Sequence, residues 1–178
     1  VQNLMCILVA GAVMLGTMAS CGTTKHTTAT RKHPKHNTAQ VHKPHRKIHP
    51  DKVQKKLLAE AETWMGTPYL YGGKEKGEGA DCSGFVMMVY LNALDVKLPR
   101  VSARQAEFCK SIDESDVRIG DLVFFATGKE EGKVTHVGMM IDEEGTFIHA
   151  SSSKGVVHST MNNQWYRRHL VGYGRVPL

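Results

Sequence analysis

The feature that most constrains the fold is a change of hydrophobic period at Gly120-Asp121. Beyond it, Leu122-Val123-Phe124-Phe125 reads as a mostly buried strand and Thr127 through Gly132 as a polar turn. Val134 to Ile141 forms the next strand, Thr146 to Ala150 another, Val156 to Ser159 a short one and Leu170 to Val176 the last. Ahead of this point the period is helical. Val53, Lys56, Leu57, Glu60, Ala61 and Trp64 trace an amphipathic helix that Gly66-Thr67-Pro68 brings to an end. Cys82, Phe85, Val86, Val89, Tyr90 and Ala93 share one face of a second helix. After Leu98-Pro99, Ser102 is placed to cap a short helix through Ser111, with Ala103, Ala106 and Phe108 turned inward. Helices first and a run of antiparallel strands after them define an α+β layout, with N-terminal helices packed on a sheet of five to six strands.

The folded part begins near Asp51. The chain has 178 residues, 41% of them hydrophobic and 7% aromatic, which suits one domain with a modest core. Residues 1–50 hold 7 of the 23 Lys and Arg side chains and no acid, leaving 16 basic against 17 acidic groups in residues 51–178. The net charge of +6 therefore belongs to the N-terminal segment, and the near-neutral remainder argues against a nucleic-acid-binding face on the domain. Residues 4–19 are uncharged and apolar, a length suited to a signal peptide and short for a membrane-spanning helix. They lead into Met18-Ala19-Ser20-Cys21, which resembles the lipobox of bacterial lipoproteins. The resemblance implies a signal peptide over 1–20, acylation of Cys21 and anchoring to a membrane by several acyl chains. Residues 21–50 carry six of the ten histidines among Thr, Pro, Lys and Arg, with too little apolar surface to order themselves. They read as a tether that extends on the order of 90 Å when fully stretched. The irregular histidine spacing fixes no metal geometry. Weak attraction to anionic envelope polymers, growing as those histidines protonate near pH 6, is expected instead.

The four cysteines lie at 6, 21, 82 and 109, without a CxxC pair, so neither a zinc site nor a disulfide framework is indicated. Cys6 falls in the apolar run and Cys109 reads as core. Cys82 differs because the glycine-rich loop Gly72 to Gly79 delivers it to the first turn of a helix. Unpaired N–H groups and the partial positive charge there favour thiolate, the nucleophilic form. A small buried core residue is the other reading, and the histidines decide between them. In Val134 to Ile141, His136 and Gly138 share a face. If the strand after Asp142-Glu143-Glu144-Gly145 returns antiparallel, facing residue numbers sum to 287 and His149 lies opposite Gly138. His136 and His149 then sit diagonally on one face, roughly 7–8 Å apart at the backbone. Cys82 is the candidate nucleophile, His136 its base and His149 the group that orients His136. His158 and His169 lack a comparable setting and read as surface or satisfied residues.

Six motifs in order carry a resemblance to the NlpC/P60 family of bacterial cysteine peptidases. They are Gly66-Thr67-Pro68-Tyr69 with Tyr71-Gly72-Gly73, Asp81-Cys82-Ser83-Gly84-Phe85-Val86, Leu98-Pro99-Arg100, Gly120 to Phe125, His136-Val137-Gly138 and His149-Ala150. The likeness spans about residues 53–177. It implies a papain-like fold with a barrel-like sheet, and hydrolysis of cell-wall peptides, commonly between γ-D-glutamate and a diamino acid such as meso-diaminopimelate. Tyr69 is similar to the family tyrosine that holds substrate or polarises the oxyanion. Asp81 resembles the carboxylate that receives the ammonium group of an N-terminal alanine, with a helix N-cap as its plainer role, and Ser83 and Arg100 are implied as substrate-side neighbours. No metal or cofactor is implied. Expected partners are peptidoglycan stem peptides and, through Cys21, a membrane, with the chain a monomer in the cell envelope, on the periplasmic side of the outer membrane in a Gram-negative cell. Two other classes keep the same residues: an N-acetylmuramoyl-L-alanine amidase and a domain that binds wall peptides without cutting them.

Overall fold

The computed structural model describes residues 50–178. The apolar segment, Cys6, Cys21 and residues 21–49 of the tether lie outside the described residues. Helix α1 (Lys52–Glu62) starts at a capping box, in which the Asp51 carboxylate accepts the N–H groups of Val53 and Gln54 while the Gln54 side chain accepts that of Asp51. Its buried residues Leu57 and Ala61, with Trp64 just beyond, face the core. Two short strands, β1 (Lys74–Glu75) and β2 (Gly79–Ala80), form a hairpin that ends at Asp81, the N-cap of α2 (Cys82–Leu94).

Helix α3 (Ser102–Phe108) is shorter than expected and rotated. Val101, not Ser102, occupies the N-cap, without a side-chain cap bond. Ser102 and Gln105 are the buried residues, Ala103 and Ala106 are half-buried, and Phe108 is 40% exposed. The inner face of this helix meets the main-chain carbonyls of Ser83 and Pro99, which require a donor and not a methyl group. Cys109 turns the chain into extended conformation, and β3 (Lys110–Ile112) takes the place of the expected last helical turn.

A 3-10 turn (Glu114–Asp116) leads to β4 (Leu122–Phe125), β5 (His136–Met140), β6 (Thr146–Ser151) and β7 (Gly155–Thr160). Helix α4 (Gln164–His169) and β8 (Leu170–Arg175) complete the domain. Six strands form one antiparallel sheet in the order β3-β8-β4-β5-β6-β7. It is open rather than closed as a barrel, since no pairing joins the edge strands β3 and β7 among the described residues. Both faces are covered, which is why all of Leu122 to Phe125 is buried. Leu122, Phe124, Val137, Met139 and Ile148 pack with Trp64, Phe85, Val86 and Val89 on one side. Val123, Phe125, Met140 and Phe147 pack on the other, with Tyr166 of α4 against them. In β5 and β6 the pairs Met139–Ile148 and Met140–Phe147 have the expected sum of 287. No helix among the described residues is long and apolar enough to cross a membrane.

Candidate active site

The first turn of α2 is fixed by backbone contact. A Cβ on Gly84 would stand 2.3 Å from the Gly73 carbonyl oxygen, so only glycine lets the loop lie against the helix start. Asp81 organises that junction. Its Oδ1 accepts from the Gly84 N–H at 2.7 Å, the Ser83 hydroxyl at 3.1 Å and Arg100 Nη1 at 2.9 Å. Its Oδ2 accepts from the Gly72 N–H at 2.9 Å and Arg100 Nη2 at 2.7 Å. Burial by itself would raise this carboxyl, but the bonds from Arg100, Gly84 and Gly72 outweigh it and hold the group below its ordinary range. Arg100 reaches on to the Ser83 hydroxyl at 3.1 Å and the Gly73 carbonyl at 3.3 Å. Gln105 clamps the assembly, its Nε2 donating to the Ser83 carbonyl at 3.0 Å and the Pro99 carbonyl at 2.9 Å. Sequence reasoning missed Gln105, whose signal is a polar residue at an inward helical position just after Leu98-Pro99-Arg100.

Cys82 is 7% exposed. The β5–β6 ladder ends at Met139–Ile148, so beyond it the Val137 N–H has no β6 carbonyl and instead reaches the Cys82 sulfur. Burial pushes the thiol up, and the Asp81 charge adds to this, against the N–H groups of Val137, Ser83 and Cys82. The net shift is upward, so the helix end alone does not hold a resting thiolate, contrary to the expectation from position; burial outweighs the helix field. On β5 and β6, His136 Nε2 and His149 Nδ1 lie 2.7 Å apart, with ring planes at 88°. Burial lowers His136 to about 4. Burial and the neighbouring His136 lower His149 to about 3. These shifts leave the thiol protonated and both imidazoles neutral near pH 7.

A cavity of about 320 Å³ opens in front of Cys82, with Tyr69, Tyr71, Asp81, Ser83, Arg100 and Val101 among its walls. Tyr69 is half-buried, and burial, followed by the charges of a Cys82 thiolate and of Asp81, raises its phenol. Tyr69, Asp81, Cys82, Ser83 and Arg100 thus line one cavity, while His136 and His149 form a pair packed among Phe125, Phe147 and Tyr166. A larger cavity of about 470 Å³, between Ala126–Gly132 and Arg168–Val171, contains none of them. His158 pairs with Glu62 at 2.8 Å and His169 donates from Nδ1 to the Trp165 carbonyl at 2.7 Å, so both are satisfied away from the thiol. Among the described residues no cluster of three or more His, Cys, Asp or Glu side chains could hold a metal ion.

A buried thiol at a helix start, with two edge-to-face imidazoles on neighbouring strands of an α+β scaffold, has the elements of a papain-like cysteine hydrolase site. The NlpC/P60 family model matches residues 66–175, and the chain belongs to that family. "Probable endopeptidase NlpC" of Escherichia coli (strain K12) is 42% identical over 114 residues, which cover 64% of this chain and 72% of that protein. "Murein DD-endopeptidase MepS/Murein LD-carboxypeptidase" of the same strain is 38% identical over 116 residues, covering 65% of this chain and 59% of that one. A crystal structure from Staphylococcus aureus subsp. aureus Mu50, described as similar to lipoprotein, NLP/P60 family, superposes with a TM-score of 0.65 at 29% identity. The likeness covers 76% of this chain and 45% of that one.

Proposed function

We propose that this domain hydrolyses amide bonds in peptidoglycan stem peptides, at the bond from γ-D-glutamate to a diamino acid such as meso-diaminopimelate, through Cys82, His136 and His149. The observation that carries this reading is the 2.7 Å bond between His136 Nε2 and His149 Nδ1; it engages Nε2, so in this reading Nδ1 is the nitrogen of His136 that exchanges a proton with Cys82. As the sulfur attacks the glutamyl carbonyl carbon, the thiol proton passes to His136 Nδ1 and a C–S bond forms. The proton then moves to the departing amine as the C–N bond breaks, leaving a thioester. Water, deprotonated by His136, adds to the thioester carbon, the C–S bond breaks and the thiol is restored. Tyr69 and the Cys82 N–H are the donors for the oxyanion. Because the resting pair is neutral, the thiolate is made during attack rather than stored. The names of the two Escherichia coli relatives, both endopeptidases, support the reaction class.

Asp81 recognises a free alanine ammonium in this reading only if Arg100 or Ser83 yields a place, since five donors already fill its carboxylate. Residues 1–50 supply the address: a signal peptide over 1–20, lipid on Cys21, and a tether to residue 50 that lets a monomeric domain reach the wall from the periplasmic face of an outer membrane. Digestion of L-Ala-γ-D-Glu-diaminopimelate, its N-acylated form and whole peptidoglycan, with Cys82→Ala in parallel and products weighed by mass spectrometry, tests the assignment. Release of L-Ala-γ-D-Glu, or its N-acylated form, by the wild type alone supports it. Loss of whole stems at the lactyl-alanine bond identifies an amidase, and binding without cleavage a wall-binding domain.

A further inference from the structure

Beyond the triad, the imidazole pair ends on two hydroxyls. His149 Nε2 lies 3.0 Å from Ser159 Oγ and 3.2 Å from Tyr166 Oη, and these two oxygens lie 3.2 Å from each other. The fold builds this group deliberately from three elements. Ser159 of β7 faces Phe147 of β6 in the ladder, two residues along the same face from His149. Tyr166 comes from α4, whose start is fixed by the Asn163 side chain accepting the Trp165 N–H at 2.8 Å. Its ring packs on Phe147 at 4.9 Å, Phe125 at 5.4 Å and His149 at 5.6 Å, so the hydroxyl is carried on a wedged aromatic.

Proton counting gives these oxygens a task. A neutral imidazole carries one N–H. For His136 to take the thiol proton at Nδ1, its own hydrogen must be on Nε2, donated to His149 Nδ1. His149 must then carry its hydrogen on Nε2, where the bonded partners among the described residues are the two hydroxyl oxygens. In the opposite arrangement His149 Nδ1–H donates inward, the His136 hydrogen moves to Nδ1, and no lone pair remains for the thiol. Once His136 is protonated, the chain must also spread positive charge outward, which only acceptors at its far end can stabilise.

We propose that Ser159 and Tyr166 are positioning residues of the triad, receiving the Nε2–H of His149 and so holding the tautomer in which His136 Nδ1 is free to act as base. This rests on the hydrolase reading above for its rate consequence, but not for its proton assignment. The test uses the full chain labelled with nitrogen-15, reading the histidine ring nitrogens by proton-nitrogen correlation, together with peptide hydrolysis by wild type, Tyr166→Phe, Ser159→Ala and the double variant. The wild type is expected to show Nε2–H on both His136 and His149. The double variant is expected to show mixed tautomers and a kcat lower by roughly 10- to 100-fold, as when the outer hydrogen-bond partner of a metal-bound histidine is lost, with KM changed less than about twofold. Tyr166→Phe keeps the ring and its packing, so it reports the hydroxyl even if the double variant folds poorly, and Ser159→Thr is expected to restore what Ser159→Ala loses. Wild-type tautomers and kcat in Tyr166→Phe and Ser159→Ala alike, or Nδ1–H on His149 in the wild type, would overturn the proposal. A wild type that cuts no peptide but shows hydroxyl-dependent tautomers would refute the hydrolase reading and leave the assignment standing.

Discussion

Gly138→Ala is the smallest change that tests how the imidazole pair is held. Gly138 lies between His136 and Met140 on the same face of β5. Its backbone is ordinary extended strand, so any cost comes from packing and not from φ. A Cβ there would stand 2.7 Å from Phe147 Cδ2, 3.2 Å from the Ile148 carbonyl oxygen and 3.3 Å from His149 Cβ. Phe147 is fully buried, with Phe125 at 5.4 Å, Tyr166 at 4.9 Å and His149 at 5.1 Å around its ring, and it has nowhere to swing. Carbon atoms rest at about 3.5–4.0 Å, so β6 must retreat by roughly 1 Å. Overpacking of this kind costs about 1–3 kcal/mol. The same retreat stretches the His136–His149 bond from 2.7 Å beyond the useful limit of about 3.2 Å. A misplacement of about 1 Å in a catalytic group can cost on the order of 10²-fold in rate. Urea unfolding should show a lower midpoint with unchanged slope, and peptide hydrolysis a reduced kcat. Phe147→Leu added to Gly138→Ala should recover part of the stability by making room. Wild-type stability and kcat in Gly138→Ala would show that the methyl fits and that Gly138 does not set the spacing of the pair.

Acid should destabilise the domain through its buried histidines. Burial holds His136 at about 4 and, helped by His136, His149 at about 3, while the unfolded chain takes up protons near pH 6.5; the stabilisation is therefore complete above that pH and lost as pH falls through the folded values. His136 alone accounts for on the order of 3 kcal/mol by pH 4. Urea titrations at pH 7 and 4.5 should show a smaller loss in His136→Gln/His149→Gln than in the wild type, and equal losses would contradict the buried neutral pair. Because the Asp81 charge adds to the upward push on the Cys82 thiol, Asp81→Asn, which keeps a capping oxygen for Gly84, should move the iodoacetamide alkylation profile of Cys82 to lower pH; movement to higher pH would refute the coupling. Gln105→Glu removes the donors to Ser83 and Pro99 and buries a carboxylate against them, so stability should fall by at least about 2 kcal/mol in chemical denaturation, whereas an unchanged midpoint would remove Gln105 from the clamp.

The inner part of the site was legible because it depends on local register. A four-residue turn and a period of two were enough to place His149 beside Gly138, and the Met139–Ile148 pairing agrees. The strand at Leu122 to Phe125 was readable as buried for the same reason, since no polar residue interrupts it. Helix α3 failed by one residue of phase. Ala103 and Ala106 have the same spacing as Ser102 and Gln105, and hydropathy favours the alanines. The surface underneath is made of carbonyl oxygens, which a scale of side-chain hydrophobicity does not register. The charge state of Cys82 escaped for a related reason: a helix end is visible in sequence, whereas the burial that opposes it is set by strands more than fifty residues away.

What surrounds Cys82 and the imidazole pair is held by contacts across the chain: Arg100 on Asp81 over 19 residues, Gln105 on Ser83 over 22, Ser159 on His149 over 10 and Tyr166 on His149 over 17. None of these follows from a local period. Each joins an element whose own pattern has another explanation, such as a short helix, a strand end or an aromatic in a second core. The arrangement also separates two tasks. Asp81, Arg100 and Gln105 fix where the sulfur sits, from the helix side of the sheet. Ser159 and Tyr166 bear on which nitrogen carries a proton, from the opposite side. Changes in the first group should therefore alter substrate binding and thiol chemistry together, while changes in the second should alter proton transfer with binding intact, a division that paired kcat and KM measurements on Arg100 and Tyr166 variants can resolve.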